Sequence, residues 1–202
     1  MTLSEVIIVI VVLAVLAFFY LPYYSSRPHP AHGINCVNNL KQIGLAYRVW
    51  SDDNNGKYPM QVSVTNGGTM ELSSDTRNAW LNYLVMSNEL GSPQILYCTA
   101  DPDHVGATNY SSQLRNKISY FVGLDANTNS PQAFLSGDDN FEISGVPVKP
   151  GLLEISSNTP IDWTASRHKF SGNIGLADGS VQQTKQSGLR AALVATNRLA
   201  IP

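Results

Sequence analysis

The chain has 202 residues, with 13 Lys and Arg against 15 Asp and Glu, for a formal net charge of −2. That length suits one domain with an appendage, and the near-neutral balance argues against nucleic-acid binding through clustered Lys and Arg. Two cysteines are too few for a disulfide-framed miniprotein or a four-thiolate zinc site, whereas an apolar fraction of 43% supports a packed core.

Met1-Thr2-Leu3-Ser4-Glu5 leads into an apolar run ending at Leu21, and no Lys, Arg, Asp or Glu falls between Glu5 and Arg27. About 20 helical residues span the roughly 30 Å of a bilayer's hydrocarbon. A cleaved signal peptide has a basic flank before its apolar run and small residues after it. Here the flank is acidic, and Phe18, Phe19, Tyr20, Tyr23 and Tyr24 close the run. Glu5 is the odd residue, because a carboxylate in an apolar helix is costly unless a cation meets it. The competing reading is a Glu in the head-group layer that only favours the helix N-terminus.

This segment resembles the mature N-terminus of type IV pilins and pseudopilins, matching at Met1, Thr2, Leu3, Glu5 and Pro22. The usual basic leader is missing, so the resemblance implies an already processed chain. It further implies that Glu5 neutralises the N-terminal amine of a neighbouring subunit. In this chain that amine belongs to Met1, and the family commonly methylates it. Moving such a helix from lipid into a bundle gains little hydrophobic energy, so close packing drives association and the Glu5–amine contact sets the stagger.

Pro22, Pro28, Pro30 and Gly33 then predict an extended linker over residues 23–33, which separates a core helix at 1–22 from a head at 34–202. Helical periodicity resumes at Val37, Leu40, Ile43, Tyr47 and Trp50, with Asn35 as N-cap and Asn55-Gly56 as stop. Residues 36–46 and 53–59, with His168, nine intervening residues and Asp178-Gly179, are similar to one large branch of the pilin-like family. That branch is named for this C-terminal element.

A further helix is expected over about residues 76–90, capped by Ser74 or Asp75 and ended by Gly91. Residues 95–98, 118–122 and 132–135 read as strands. Asp178-Gly179 between two alternating runs predicts a hairpin with a type I′ turn. Residues 189–197 read as a short terminal helix, and residues 60–74, 99–117 and 138–158 as loops. The expected fold is α+β, with an amphipathic helix laid on a small antiparallel sheet.

Three sites merit a chemical reading. His168 reads as a structural residue hydrogen-bonded near the sheet, with ligand contact or catalysis as the alternatives; no Ser, Cys or third ligand sits at useful spacing. Export of the head would place Cys36 and Cys98 in an oxidising compartment. A disulfide would then tie the second helix to the first strand, two buried thiols being the alternative. Asp125, Asn127 and Asn129 alternate like the start of a calcium loop, and Asp138 and Asp139 lie near in sequence. Ser130 and Ser136 stand where such a loop needs Gly and an acid, so turn-forming side chains are the competing explanation. Some major pseudopilins hold calcium in C-terminal loops.

The resemblance implies a non-enzymatic, major pilin-like subunit of a type IV pilus-class filament. Such a subunit forms a helical homopolymer and meets prepilin peptidase and the pilus assembly machinery. It resides in the inner membrane before assembly and in an extracellular filament at the cell surface afterwards. The alternatives are a periplasmic pseudopilin of a type II secretion apparatus and a membrane-tethered binding protein. No cofactor beyond calcium is implied.

Overall fold

The computed structural model describes residues 3–25, 31–72, 78–193 and 196–202. The chain divides into two compact units, Met1–Ala31 and His32–Pro202. In the first, helix α1 runs Leu3–Ser25, 23 residues with Glu5 in its first turn. It continues through position 22, so the expected linker start at residue 23 is corrected: a proline costs one hydrogen bond without always ending a helix. Among the described residues no helix is long and apolar enough to cross a membrane.

The second unit is α+β. Helix α2, Ala31–Asp53, starts earlier than the expected Asn35 cap, so residues 31–33 are helical as well, and residues 26–30 of the expected linker lie outside the described residues. Cys36, Leu40, Ile43, Tyr47 and Trp50 form its buried stripe at helical spacing. Asn55 and Gly56 end it with φ of 56° and 73°, and the Gly56 N–H closes on the Ser51 carbonyl at 2.8 Å. The expected 76–90 helix is two pieces, α3 (Ala79–Val85) and α4 (Ser87–Leu90), ended by Gly91 at φ 69°. The proposed caps Ser74 and Asp75 lie outside the described residues.

Among the described residues nine strands follow: β1 (Tyr120–Gly123), β2 (Phe134–Asp138), β3 (Phe141–Ile143), β4 (Val146–Pro147), β5 (Gly151–Ile155), β6 (Ile161–Trp163), β7 (Ser171–Leu176), β8 (Val181–Lys185) and β9 (Asn197–Ile201). They build a six-stranded antiparallel sheet in the order β5-β9-β1-β2-β7-β8 and a three-stranded sheet in the order β4-β3-β6. Side-chain alternation divides the core between the two faces of the large sheet. Tyr120, Val122, Leu135 and Ala200 join the cluster built on α2, while Phe121, Phe134, Leu199 and Ile201 join one containing Phe141, Trp163 and Leu189. The large sheet is therefore a middle layer. The α2 cluster covers one face, and the small sheet with α5 (Gln186–Ala192) covers the other.

Three expectations are corrected. Residues 95–98 are not a strand: Pro93–Leu96 is a 3₁₀ helix, because Pro93 sits at its start and the Ser92 hydroxyl accepts from the Gln94 N–H. The 138–158 region is not loop but carries β3, β4 and β5. The tail is not helical to residue 197, since α5 ends at Ala192 and β9 inserts between β5 and β1.

The hairpin at Asp178-Gly179 forms, but not with a type I′ turn. Only Gly179 has positive φ, 83°. The Gly179 N–H bonds the Leu176 carbonyl, and the Leu176 N–H bonds the Ser180 carbonyl, both at 2.9 Å. This is a type I turn followed by a left-handed glycine bulge. Its tip docks on α2: a Cβ on Gly44 would lie 3.3 Å from the Gly179 Cα, Arg48 Nη1 donates to the Asp178 carbonyl at 3.1 Å, and the Tyr58 hydroxyl donates to the Ala177 carbonyl at 2.7 Å.

Candidate functional site

The fold gathers its polar chemistry where four segments converge: α2, the stretch after the Pro93–Leu96 turn, the end of β2, and the connection from β6 to β7. Cys36 on α2 and Cys98 form a disulfide with Cα atoms 5.4 Å apart, both residues fully buried. The disulfide therefore anchors α2 to a 3₁₀ exit and not to a strand.

The β6–β7 connection carries Arg167 and His168. His168, Lys169 and Phe170 are successive left-handed residues with φ of 38°, 51° and 60°. Each such residue costs about 1–2 kcal/mol, and runs of them are rare outside glycine. The Ser171 hydroxyl donating to the His168 carbonyl, and the Phe170 N–H bonding the Thr164 carbonyl at 3.3 Å, hold the turn in place. Strain of this kind concentrates where side chains must be aimed. Here it aims His168 inward, with its side chain 5% exposed.

His168 Nε2 lies 3.3 Å from Cys98 Sγ and 3.5 Å from Asp138 Oδ2. Asp138 is fully buried; its Oδ2 accepts from the Asn173 backbone and side-chain N–H groups, both at 2.8 Å. Its Oδ1 makes no hydrogen bond. Burial pushes the Asp138 carboxyl up to about 6, against the Asn173 hydrogen bonds and the charge of Arg167.

The adjacent residues serve a second cluster. Arg167 Nη2 lies 2.5 Å from Asp101 Oδ2, and Nη1 donates to Asp139 and to the Ser119 carbonyl, the latter at 3.1 Å. Asp101 also accepts from the Asp103 N–H at 2.9 Å and contacts His104 Nδ1 at 2.8 Å. Burial favours the neutral form of Asp101, but the His104 hydrogen bond and the Arg167 charge outweigh it and hold the carboxyl below the ordinary range. The same hydrogen bond raises His104. Burial raises Asp139 to about 6 despite Arg167. Two carboxylates thus face a guanidinium and an imidazole that favours its charged form.

The sequence-predicted site residues separate into different places. His168 and Asp178-Gly179 do not share a site: His168 faces Cys98 and Asp138, whereas Asp178 sits at the hairpin tip with Arg48, Gln132 and Ser180. The Asp178 and Gly179 half of the element is architectural, since it docks the hairpin on α2. The calcium set is not assembled either. Both Asp125 carboxylate oxygens bond Arg198, with Oδ1 2.6 Å from Nη2 and Oδ2 2.7 Å from the Arg198 N–H. Asn127 Oδ1 accepts from the Asn129 N–H, which makes that stretch an Asx turn. Asp138 and Asp139 serve the two clusters described above. Glu5 is exposed in the first turn of α1, and Met1 lies outside the described residues.

Sequence reasoning missed Asp101, Arg167 and Asn173. The legible signal was two adjacent pairs, Asp138-Asp139 and Arg167-His168, because neighbours in a strand or tight turn send side chains to opposite sides. One member of each pair goes to the disulfide and the other to the ion cluster. No protein-family model, curated protein or solved structure matches the chain.

Proposed function

We propose that this chain is a structural subunit of a type IV pilus-class filament, with α1 supplying the axial core and the α+β unit the outer coat. One observation carries the reading. Ten large aliphatic side chains between Val6 and Leu16 are exposed on α1, from 39% at Val6 to 62% at Ile8. A run of that kind needs an apolar surrounding. The pilin-like pattern of residues 1–22 supports other copies of the same helix as that surrounding, with the inner membrane before assembly. Glu5 then meets the Met1 amine of a neighbour and sets the register, because an unpaired charge in an apolar bundle costs several kcal/mol, by order of magnitude.

Glu5→Ala tests this in the producing cell. Sedimentation of sheared material places the wild-type chain in the high-speed pellet and leaves the variant in the membrane fraction. Equal pelleting of both would contradict the assembly role of Glu5.

A further inference from the structure

The surroundings of the disulfide have a property beyond joining two segments. Cys36, Cys98, Asp138 and His168 each present one metal-ligand atom, all within 4.8 Å of one another. Two of the edges among these atoms are 3.3 Å from Cys98 Sγ to His168 Nε2 and 3.5 Å from that nitrogen to Asp138 Oδ2. A tetrahedral zinc, with bonds of about 2.3 Å to sulfur and about 2.0–2.2 Å to nitrogen and oxygen, has ligand–ligand edges of roughly 3.4–3.8 Å. The nitrogen–oxygen edge of 3.5 Å already lies in this range, whereas the sulfurs are held together by their bond and must part to admit the ion. Asp138 also has a buried carboxylate oxygen, Oδ1, without a hydrogen-bond partner, the kind of atom a bound cation satisfies. No two of the four ligands are near in sequence except through the fold, and a strained left-handed turn holds one of them there.

We propose that this is a redox-gated zinc site, closed as the Cys36–Cys98 disulfide and occupied by one Zn²⁺ on Cys36, Cys98, His168 and Asp138 once the disulfide is reduced. A dithiol reductant supplies two electrons and two protons: its own disulfide forms, the Cys36–Cys98 bond breaks, and two thiols appear. Zinc then forms two Zn–S bonds and releases the two thiol protons to solvent. His168 binds as neutral imidazole through Nε2, and Asp138 as carboxylate. Two sulfurs and an imidazole select zinc over calcium or magnesium, which take oxygen ligands. The four protein ligands fill the tetrahedron, so the site is structural in type.

The test uses the full chain in detergent, reduced with a phosphine so that no added thiol competes, and titrated with Co²⁺ as a spectroscopic stand-in. The expected result is one equivalent bound, with thiolate-to-cobalt charge transfer and tetrahedral d–d bands that Zn²⁺ abolishes. The oxidised chain gives no such spectrum. His168→Ala and Asp138→Asn each weaken binding by at least about tenfold while still forming the disulfide on oxidation. Three results overturn the proposal: no cobalt spectrum from a reduced chain with two titratable thiols, unchanged affinity in both variants, or a reduced chain that unfolds and is not restored by zinc.

Discussion

Replacing Arg167 by Met removes the guanidinium that bridges Asp101 and Asp139 and keeps most of the side-chain volume. The Arg167 side chain is 5% exposed, that of Asp101 is 0% and that of Asp139 is 10%, so solvent screening is slight. Removing one partner of a buried ion pair costs about 3–5 kcal/mol, because the other charge is left uncompensated. Two carboxylates are stranded here and the Ser119 carbonyl loses its donor, which places the expectation at the upper end of that range. With a urea slope of about 2 kcal/mol per molar, the unfolding midpoint should fall by roughly 2.5 M. The deficit should also shrink on acidification, since protonated carboxyls need no counter-charge. Adding Asp101→Asn and Asp139→Asn to Arg167→Met should recover most of the loss, because the three residues act as one network. A loss below about 1 kcal/mol at neutral pH, in the urea titration of the single variant, would refute the view that this cluster is desolvated and mutually dependent.

Asp138 gives a pH test. Its carboxyl is raised from 3.8 to about 6 in the folded chain, so its contribution is full below pH 4 and is lost as pH rises through 6. That amounts to about 3 kcal/mol at about 1.4 kcal/mol per unit, and Asp138→Asn should flatten this part of the stability–pH curve measured by denaturation. Asp101 has the opposite sign: its lowered carboxyl contributes above the usual carboxylate range, and that contribution is lost in strong acid. Replacing both cysteines by Ser opens a crosslink of sequence separation 62 and should cost about 4 kcal/mol in the chain-entropy model, read from the same titration. Gly172→Ala would set a Cβ 2.5 Å from the Trp163 ring and should cost about 1–3 kcal/mol, with a changed Trp fluorescence spectrum.

Sequence reading succeeded where one physical signal dominated. The buried stripe of α2, its Asn55-Gly56 stop, the Gly91 stop and the hairpin around Asp178-Gly179 follow from periodicity and from backbone preferences. It failed where tertiary context decides. Residues 95–98 are apolar and β-branched enough for a strand, yet Pro93 and Ser92 start a 3₁₀ turn there. β9 is legible only through its partners, because Asn197–Ile201 gains its identity by pairing with both β1 and β5. The short strands β3 and β6 bury one and two residues, β4 buries neither of its two, and all three are too brief for any period to show. At the site, the sequence pairs Cys36 with Cys98 and marks His168 by itself. Their meeting with Asp138 depends on a left-handed turn of three non-glycine residues that no local preference predicts.

In the proposed filament the exposed aliphatic side chains of α1 are covered by copies of the same helix. Electron microscopy of material sheared from producing cells, followed by helical reconstruction, measures this directly. The account predicts fibres with a rod of bundled α1 helices at the axis and Glu5 within contact of a neighbouring Met1 amine. Fibres without such a rod, or a chain recovered only as membrane-bound monomers, would contradict it.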